Sequence, residues 1–470
     1  MSLMTPEVVA WVESTVDGTM MNCELQGRWR PHYFVDVKTT DGNVLELLVR
    51  FARDPELVKD SHFLSQFTIE HESHVLESLQ ESDVAVPRYF GFNKAHQAIL
   101  MGRVDGNNSF NERDDSESRR AVVRTYIENL AALHKMDPEN LAGAAMTVPE
   151  SSEALAFQNS FGLIERDYRQ AQERMTPEPL LEFGLWWLHN HVPQRSEVAV
   201  LQGDCGPGQF MHAAGRLTAL IDWELCHVGD PMCDLGNMRM RNMLYPTGDQ
   251  REFLDYYEEV TGTKIDEAAL CFYTVMATLL SPLGMAASMQ APSAAIDSML
   301  PRFGWDVVMR RGLCDALAEA SGVYIDPPPL PNAESGRPST MNGYLVEHLE
   351  MRCMPIAEDE FDRYLIRGAV AIAGSLGLQD HFGRALEADD LEDAGDVLGH
   401  VPSDRGEAIK DLSRFVQDSS SERMLDLIWL FSRMEKRREF LWGPLMFAQG
   451  SSPLEIRSKL EPYLGPRGIL

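Results

Sequence analysis

The chain has 470 residues, more than one hydrophobic core normally organises, so two or three domains are expected. Its 44 % hydrophobic, 24 % charged and 9 % aromatic residues are those of a globular protein and exclude wholesale disorder. Lys and Arg number 42 against 72 Asp and Glu, a net charge of −30. That balance argues against nucleic acid or an anionic membrane as a partner, since both are bound through basic surface. An acidic surface would also suit a cationic substrate, but solvation and solubility account for it more plainly.

Seven cysteines are scattered without a C-x-x-C pair, so neither a zinc cage nor a disulfide framework is suggested, and a reducing cytoplasm is the expected location. The opening MSLMTPEVVAWVEST has no basic n-region and no apolar h-region, so no secretory signal is read there. In chain order, residues 33–38 and 44–51 are apolar, β-branched runs separated by Asp41-Gly42, a hairpin signal. Residues 64–79 carry Leu64, Phe67, Val75, Leu76 and Leu79 at helical spacing, and two more strands are expected at 84–92 and 98–104. The first hundred residues thus predict a small sheet with one helix across it. Helical periodicity takes over in 119–135, through Val122, Tyr126, Ile127, Leu130 and Leu133, and stops at Asp137-Pro138.

Residues 155–192 read as further helices, 198–234 as short strands and loops, and 251–321 as helices again. Within the last stretch 268–296 has no charged residue, but only 268–280 is densely apolar, too short to span a bilayer, so a buried helix is expected. Residues 322–342, with three consecutive prolines, read as an extended linker. Residues 343–470 read as almost entirely helical, with the acidic 387–396 expected to be a solvated helix face. The expected organisation is therefore 1–105, 106–321, a linker at 322–342, and a helical domain at 343–470.

The informative segment is LQGDCGPGQFMHAAGRLTALIDWELCHVGDPMCDLGNM, residues 201–238. A short strand leads into a glycine-rich loop, followed by strands at 209–212 and 217–221. A two-residue turn at Gly215-Arg216 would be of type II′ and would set Gln209 opposite Asp222 at the open end of the hairpin. A carboxylate and an amide carbonyl are hard oxygen ligands suited to Mg²⁺, which keeps its other positions for water and phosphate. Asp204, five residues before Gln209, would lie within reach of a substrate hydroxyl. A base, a divalent metal and room for phosphate are what phosphoryl transfer requires.

This segment resembles the signature of the aminoglycoside phosphotransferase and choline kinase family, H-G-D-x-x-x-x-N followed by I-D-[WF]-E-x-x-x-x-G-D-P-x-x-D-L. The matching residues here are Gly203-Asp204, Gln209 after a four-residue spacer, Ile221-Asp222-Trp223-Glu224, Gly229-Asp230-Pro231 and Asp234-Leu235. The resemblance implies a two-lobed, protein-kinase-like α+β fold, with a small sheet in the first lobe and a mostly helical second one. It implies Asp204 as catalytic base, Asp222 as ligand of a Mg²⁺ bridging the phosphates of ATP, and Gln209 in the place of the metal-binding Asn. Asp234 would hold the backbone of the catalytic loop. Upstream, Glu72 is similar to the family's ion-pairing Glu, and Arg50 stands where kinases place a phosphate-binding Lys. The backbone of Gly102 and Val104, in a stretch that looks like the hinge between lobes, would meet adenine. The resemblance covers roughly residues 20–320 and leaves the last 130 or so unmatched.

This chain departs from the pattern at Gln202, where the motif has His, at Gln209, whose carbonyl is one methylene further out, and in the loop 25–29, which has a single glycine. Each residue also has a plainer role: Asp204 and Asp222 as turn formers, Gln209 as a loop amide, Glu72 with Arg50 as a structural ion pair. Asp230 is expected to cap a helix beginning at Pro231. His134 is expected to be a satisfied core histidine and Cys205 a packing residue, while no role is read for His212 or His227. The function expected is ATP- and Mg²⁺-dependent phosphorylation of a small-molecule hydroxyl, and the alternative is an inactive kinase-like binding or scaffolding protein. A protein kinase is disfavoured, because about eight residues separate Asp222 from Pro231, too few for a loop that docks a protein. Dimerisation through the C-terminal helices is left open.

Overall fold

The computed structural model describes residues 3–26, 30–59, 61–110, 116–141, 148–194, 197–289, 296–332, 340–358, 360–418 and 423–446. Its chain divides into two compact units, Met1–Asp167 with Pro193–Asp266, and Tyr168–Val192 with Glu267–Leu470.

The first unit opens with a five-stranded antiparallel sheet of order β1-β2-β3-β5-β4, formed by β1 (Gly18–Gln26), β2 (His32–Thr39), β3 (Val44–Phe51), β4 (Tyr89–Asn93) and β5 (Ala98–Gly102). The alternation in the sequence becomes the alternation of the pleat: Tyr33, Val35 and Val37 on β2 and Leu47, Val49 and Phe51 on β3 are buried together. Val8 and Val12 of the helix Pro6–Val16 join that core, and each such side chain contributes about 1.5–3 kcal/mol when fully buried. That helix and β1 were not anticipated, although Thr5 gives the local reason for the helix: its side chain accepts the Val8 N–H ahead of Pro6. The single helix expected over 64–79 is instead two, His62–Gln66 and Ile69–Ser78, because Thr68 leaves helical geometry and caps the second through the His71 N–H. The second buries Glu72 beside Val75 and Leu76.

The rest of the first unit is mostly helical, with helices Ser116–His134, Pro231–Leu244 and Gln250–Thr261. Two small antiparallel pairs lie among them: β6 (Ala199–Leu201) with β9 (His227–Gly229), and β7 (Phe210–Ala213) with β8 (Arg216–Leu220). The turn of the second pair differs from the expected one. Ala214 and Gly215 are its central residues, both at positive φ (49° and 74°), as the twist of a tight hairpin favours. An irregularity between Met211 and His212 then shifts the register, so Phe210 faces Leu220, and the Ile221 N–H donates to the Gln209 carbonyl. Gln209 is therefore opposite Ile221, one residue short of Asp222.

The second unit is helical in its described residues, with Pro179–Asn190, Glu267–Ser288, Ile296–Ala320, Thr340–His348, Glu360–Leu398, Arg405–Asp418 and Met424–Met446 among its helices. Glu267–Ser288 is the one described helix long and apolar enough to cross a membrane, and 78 % of its apolar window is buried inside the protein, as a core helix requires. The boundary expected at 322–342 does not separate two bodies. Helix Ile296–Ala320, before it, packs on helix Met424–Met446, beyond it, with Arg438 on Asp306 at 2.6 Å and Arg311 Nη1 donating to the Ser432 carbonyl at 3.3 Å. The acidic patch is a solvated face only in part: Glu387, Glu392 and Asp396 are exposed, whereas Asp393 is buried. Asp390 and Asp393 receive Arg437, which is 2 % exposed, at 2.7 and 2.6 Å, and Asp393 also receives Arg433 at 2.9 Å. Unpaired buried arginines would be prohibitive, so these carboxylates are what lets helix Met424–Met446 close on Glu360–Leu398.

Candidate active site

The loop that leaves β6 is shaped by one buried carboxylate. Asp234, wholly buried on the first turn of Pro231–Leu244, accepts the backbone N–H of Gln202 at 2.8 Å and of Gly203 at 2.9 Å. His134 stands against the same carboxylate at 3.2 Å and against the Tyr257 hydroxyl at 2.7 Å, so it is the satisfied core histidine expected of it. The helix that carries Asp234 begins as anticipated, with the Asp230 side chain accepting the Met232 N–H and Pro231 at its first position. Gln202 braces the other side of the loop. Its amide donates to the carbonyls of Gln209 and Ile221 at 3.1 and 3.0 Å, the last two residues before the hairpin opens.

Asp204 follows directly in this held loop. Arg241 Nη1 donates to its Oδ1 at 2.7 Å, and the Gln209 amide donates to its Oδ2. Burial pushes the Asp204 carboxyl above its ordinary value, and Arg241 and then Gln209 pull against that shift. The result is a carboxylate fixed in direction and more basic than usual, the properties a general base needs. Cys205 packs against the Tyr126 hydroxyl at 2.6 Å and is buried, with its thiol pushed up by burial, so it is a packing residue and not a nucleophile.

Asp222 sits where β8 ends, at φ 63° and ψ 61°. This left-handed geometry breaks the strand alternation and re-aims the side chain toward the sheet of the first unit. There Arg50 Nη2 donates to Asp222 Oδ1 at 2.5 Å, and Arg50 Nη1 lies 3.3 Å from Glu72. Burial opposes ionisation of Asp222, yet Arg50, and after it Arg30 and Arg241, hold its carboxyl below the ordinary value. Three of the predicted site residues, Arg50, Glu72 and Asp222, thus form one chain of contacts. The expected side-by-side pairing of Gln209 with Asp222 is not what brings the site together, because the turn falls one residue earlier, the bulge restores only part of that shift, and the Gln209 amide turns to Asp204.

Two residues of this cluster, Arg30 and Arg53, escaped the sequence reading, and Glu224 entered it only as a motif match. Arg30 pairs with Glu72 and lies 2.7 Å from Glu224, and Arg53 donates to both oxygens of Glu224 at 2.7 Å. Glu72 is therefore held by two guanidinium groups, and Glu224, next but one to Asp222, ties the segment after β8 back to the end of β3. The signal was the Glu of the I-D-W-E run, whose partner no local spacing could name. At the end of β5 the Gly102 N–H donates to the Arg88 carbonyl at 2.8 Å, so that donor is already engaged within the protein. The segment after β5 is anchored to the hairpin, with Asn107 and His212 exchanging both backbone bonds at 2.9 Å and the Phe110 ring 4.7 Å from that of His212. His212 thereby acquires a structural role. His227 Nδ1 pairs with the Leu225 carbonyl at 2.8 Å, closing the turn after Asp222. Of the glycine-poor loop 25–29, Leu25 and Gln26 end β1, and residues 27–29 lie outside those described.

A family model for the phosphotransferase enzyme family matches residues 28–273. The chain belongs to this family. Among solved structures it is similar to the macrolide 2′-phosphotransferase MphH of Brachybacterium faecium, at 20 % identity over 62 % of this chain and 95 % of that one, TM-score 0.45. It is also similar to the choline kinase LicA of Streptococcus pneumoniae, at 16 % identity over 66 % and 99 %, TM-score 0.45, and to the aminoglycoside phosphotransferase APH(3″)-Id of Streptomyces rimosus, at 16 % over 60 % and 99 %, TM-score 0.38. A search of curated proteins gives no match. The small antiparallel sheet followed by a mostly helical chain is the kinase-like fold of the phosphotransferases. In this phosphotransferase the position where the motif has His is held by Gln202, whose amide makes two bonds to loop carbonyls.

Proposed function

We propose that this phosphotransferase moves the γ-phosphate of ATP to a hydroxyl of a small molecule, with Mg²⁺ as its metal. The observation that carries the reading is the constrained Asp204, held in a loop fixed by Asp234 and near enough to feel the charge of Asp222, which Arg50 binds and Glu72 in turn anchors. The donor set suits a hard divalent cation. Among the described residues the bonds of Asp222 run through Oδ1, which leaves Oδ2, and Gln209 is engaged through its nitrogen, which leaves its carbonyl oxygen. When bound there, the metal would neutralise charge on the phosphates. Arg50, fixed by Glu72, would steady the same phosphates, and the Gly102 and Val104 backbone would orient adenine.

Asp204 would accept the proton of the acceptor hydroxyl as that oxygen attacks phosphorus. A small acceptor is favoured by what lies between Asp222 and Pro231. The eight residues are filled by the turn Trp223–Leu225 and by β9, which pairs with β6. The reading without catalysis rested on Gln202, Gln209 and the unmatched C-terminal helices; the amide bonds of Gln202 to the loop count against the first of these grounds.

Asp204→Asn should lower turnover by about 10²–10⁴, the usual worth of a general base, with nucleotide affinity nearly unchanged. Asp222→Ala should abolish Mg²⁺-dependent ATP binding. Calorimetric titration with ATP, with and without Mg²⁺, together with a phosphate-release assay on a panel of alcohols, checks both. Full turnover by Asp204→Asn would remove that residue from its role.

A further inference from the structure

We propose that Arg241 is the cation that grips the transferred phosphoryl group, taking a γ-phosphate oxygen through Nη2 while Nη1 holds Asp204. The proposal rests on the phosphotransfer reading above and deepens it. The loop 201–210, LQGDCGPGQF, contains no Lys or Arg, so any positive charge beside Asp204 must come from another element. Arg241 supplies it from the helix Pro231–Leu244, seven residues beyond Asp234 and therefore on the same helix face. Nη1 meets Asp204 at 2.7 Å and Nε meets the Pro207 carbonyl at 2.8 Å, which fixes the guanidinium plane and, among the described residues, leaves Nη2 as the edge without a hydrogen bond.

The loop is built around this side chain. A Cβ on Gly206 would stand 3.1 Å from Arg241 Cβ, and one on Gly208 would stand 3.1 Å from Nη2 itself. Both glycines have positive φ, 131° and 90°, so the backbone passes Arg241 on each side of Pro207 in a conformation other residues resist. The side chain is 16 % exposed, neither sealed in the core nor free at the surface. Its charge interacts with Asp204, then with Tyr245 and Asp222, so the candidate base and the candidate metal ligand both lie within its electrostatic reach.

The step balances with Arg241 unchanged. The acceptor oxygen forms the new P–O bond and its proton passes to Asp204, while the bond to the β-phosphate breaks and its electron pair leaves with ADP. The charge on the equatorial oxygens is what a guanidinium fork holds well, by shape and by permanent ionisation.

The test compares two nucleotides that differ by the γ-phosphate, MgADP and the magnesium complex of the β,γ-imido analogue of ATP, titrated calorimetrically into the full chain. Arg241→Met should weaken the analogue by about tenfold or more, as expected for one lost charge-assisted hydrogen bond, and leave MgADP within about twofold. Arg241→Lys keeps the charge without the fork and should recover part of the loss. A residue that only supports the loop would weaken both nucleotides alike or neither, and either result overturns the proposal. If Arg241→Met shows no cooperative thermal transition, the Lys variant carries the same comparison: selective loss of the analogue supports the proposal and equal affinities overturn it. A wild-type chain that binds neither nucleotide overturns the phosphotransfer reading itself, whereas binding with no selective effect of Arg241 overturns this inference alone.

Discussion

Asp234 holds two backbone donors and a histidine with a single side chain that no solvent reaches. Removing it by Asp234→Ala would strand the Gln202 and Gly203 N–H groups, each costing about 1–3 kcal/mol when buried without a partner, and would leave His134 half satisfied. A loss of about 3–5 kcal/mol is therefore expected in urea unfolding, as a lower midpoint at unchanged slope. Asp234→Asn keeps one acceptor and should lose less. A midpoint within error of wild type for Asp234→Ala would contradict this role. Asp234 was legible because its spacing from Asp230 and Pro231 belongs to a recognisable motif. Arg30, Arg53 and Arg241 were not, since each acts on a residue far away in the chain, and only the 234, 237, 241 repetition on one helix face hinted at the last. Asn237, in the middle of that series, donates to the Gly203 carbonyl at 3.2 Å.

At the scale of elements, helix Pro231–Leu244 is tuned by its cap. Burial pushes the Asp230 carboxyl up to about 6 against the Met232 N–H, with Asp266 and then Glu197 adding to the rise. The folded chain thus binds this proton more tightly than the unfolded one. Its contribution to stability is full below the unfolded value of about 3.9 and is lost as pH rises past about 6. Asp230→Asn keeps an acceptor for the cap without the charge. Relative to wild type it should gain stability between pH 4 and pH 7, by at most about 3 kcal/mol, read from urea midpoints at both ends of that range. A constant difference would show that Asp230 titrates normally. The β7–β8 hairpin was anticipated as an element but not in its register: a turn one residue earlier and one irregularity shift every partner, and neither leaves a trace in hydrophobic pattern.

For the molecule as a whole, the proline-rich stretch marks a connection without marking a boundary. Residues 323–332 have no regular structure and Tyr324 is 81 % exposed, yet the helices on either side of the stretch pack on each other. A chain ending at residue 321 should lack a cooperative thermal transition and aggregate, because the face of Ile296–Ala320 that meets Met424–Met446 would lie open to water. A soluble, cooperatively melting fragment would restore the expected boundary. Proteolytic nicking within 323–332 of the intact chain should leave two fragments that elute together.

The candidate site was legible in the order of residues: Gly203-Asp204, Asp222 and Asp230-Pro231 with Asp234 keep fixed spacings because they lie on one loop, one hairpin end and one helix start, where local geometry ties position to direction. Strand alternation in β2 and β3 and the buried helix Glu267–Ser288 were open to the same kind of reading, since burial follows a period. What needed the folded chain was every contact between distant segments: Arg50 on Asp222, Arg241 on Asp204, the arginines of Met424–Met446 on Asp390 and Asp393. Charge pairing depends on distance in space, a few ångströms, and a linear sequence records distance only along the backbone.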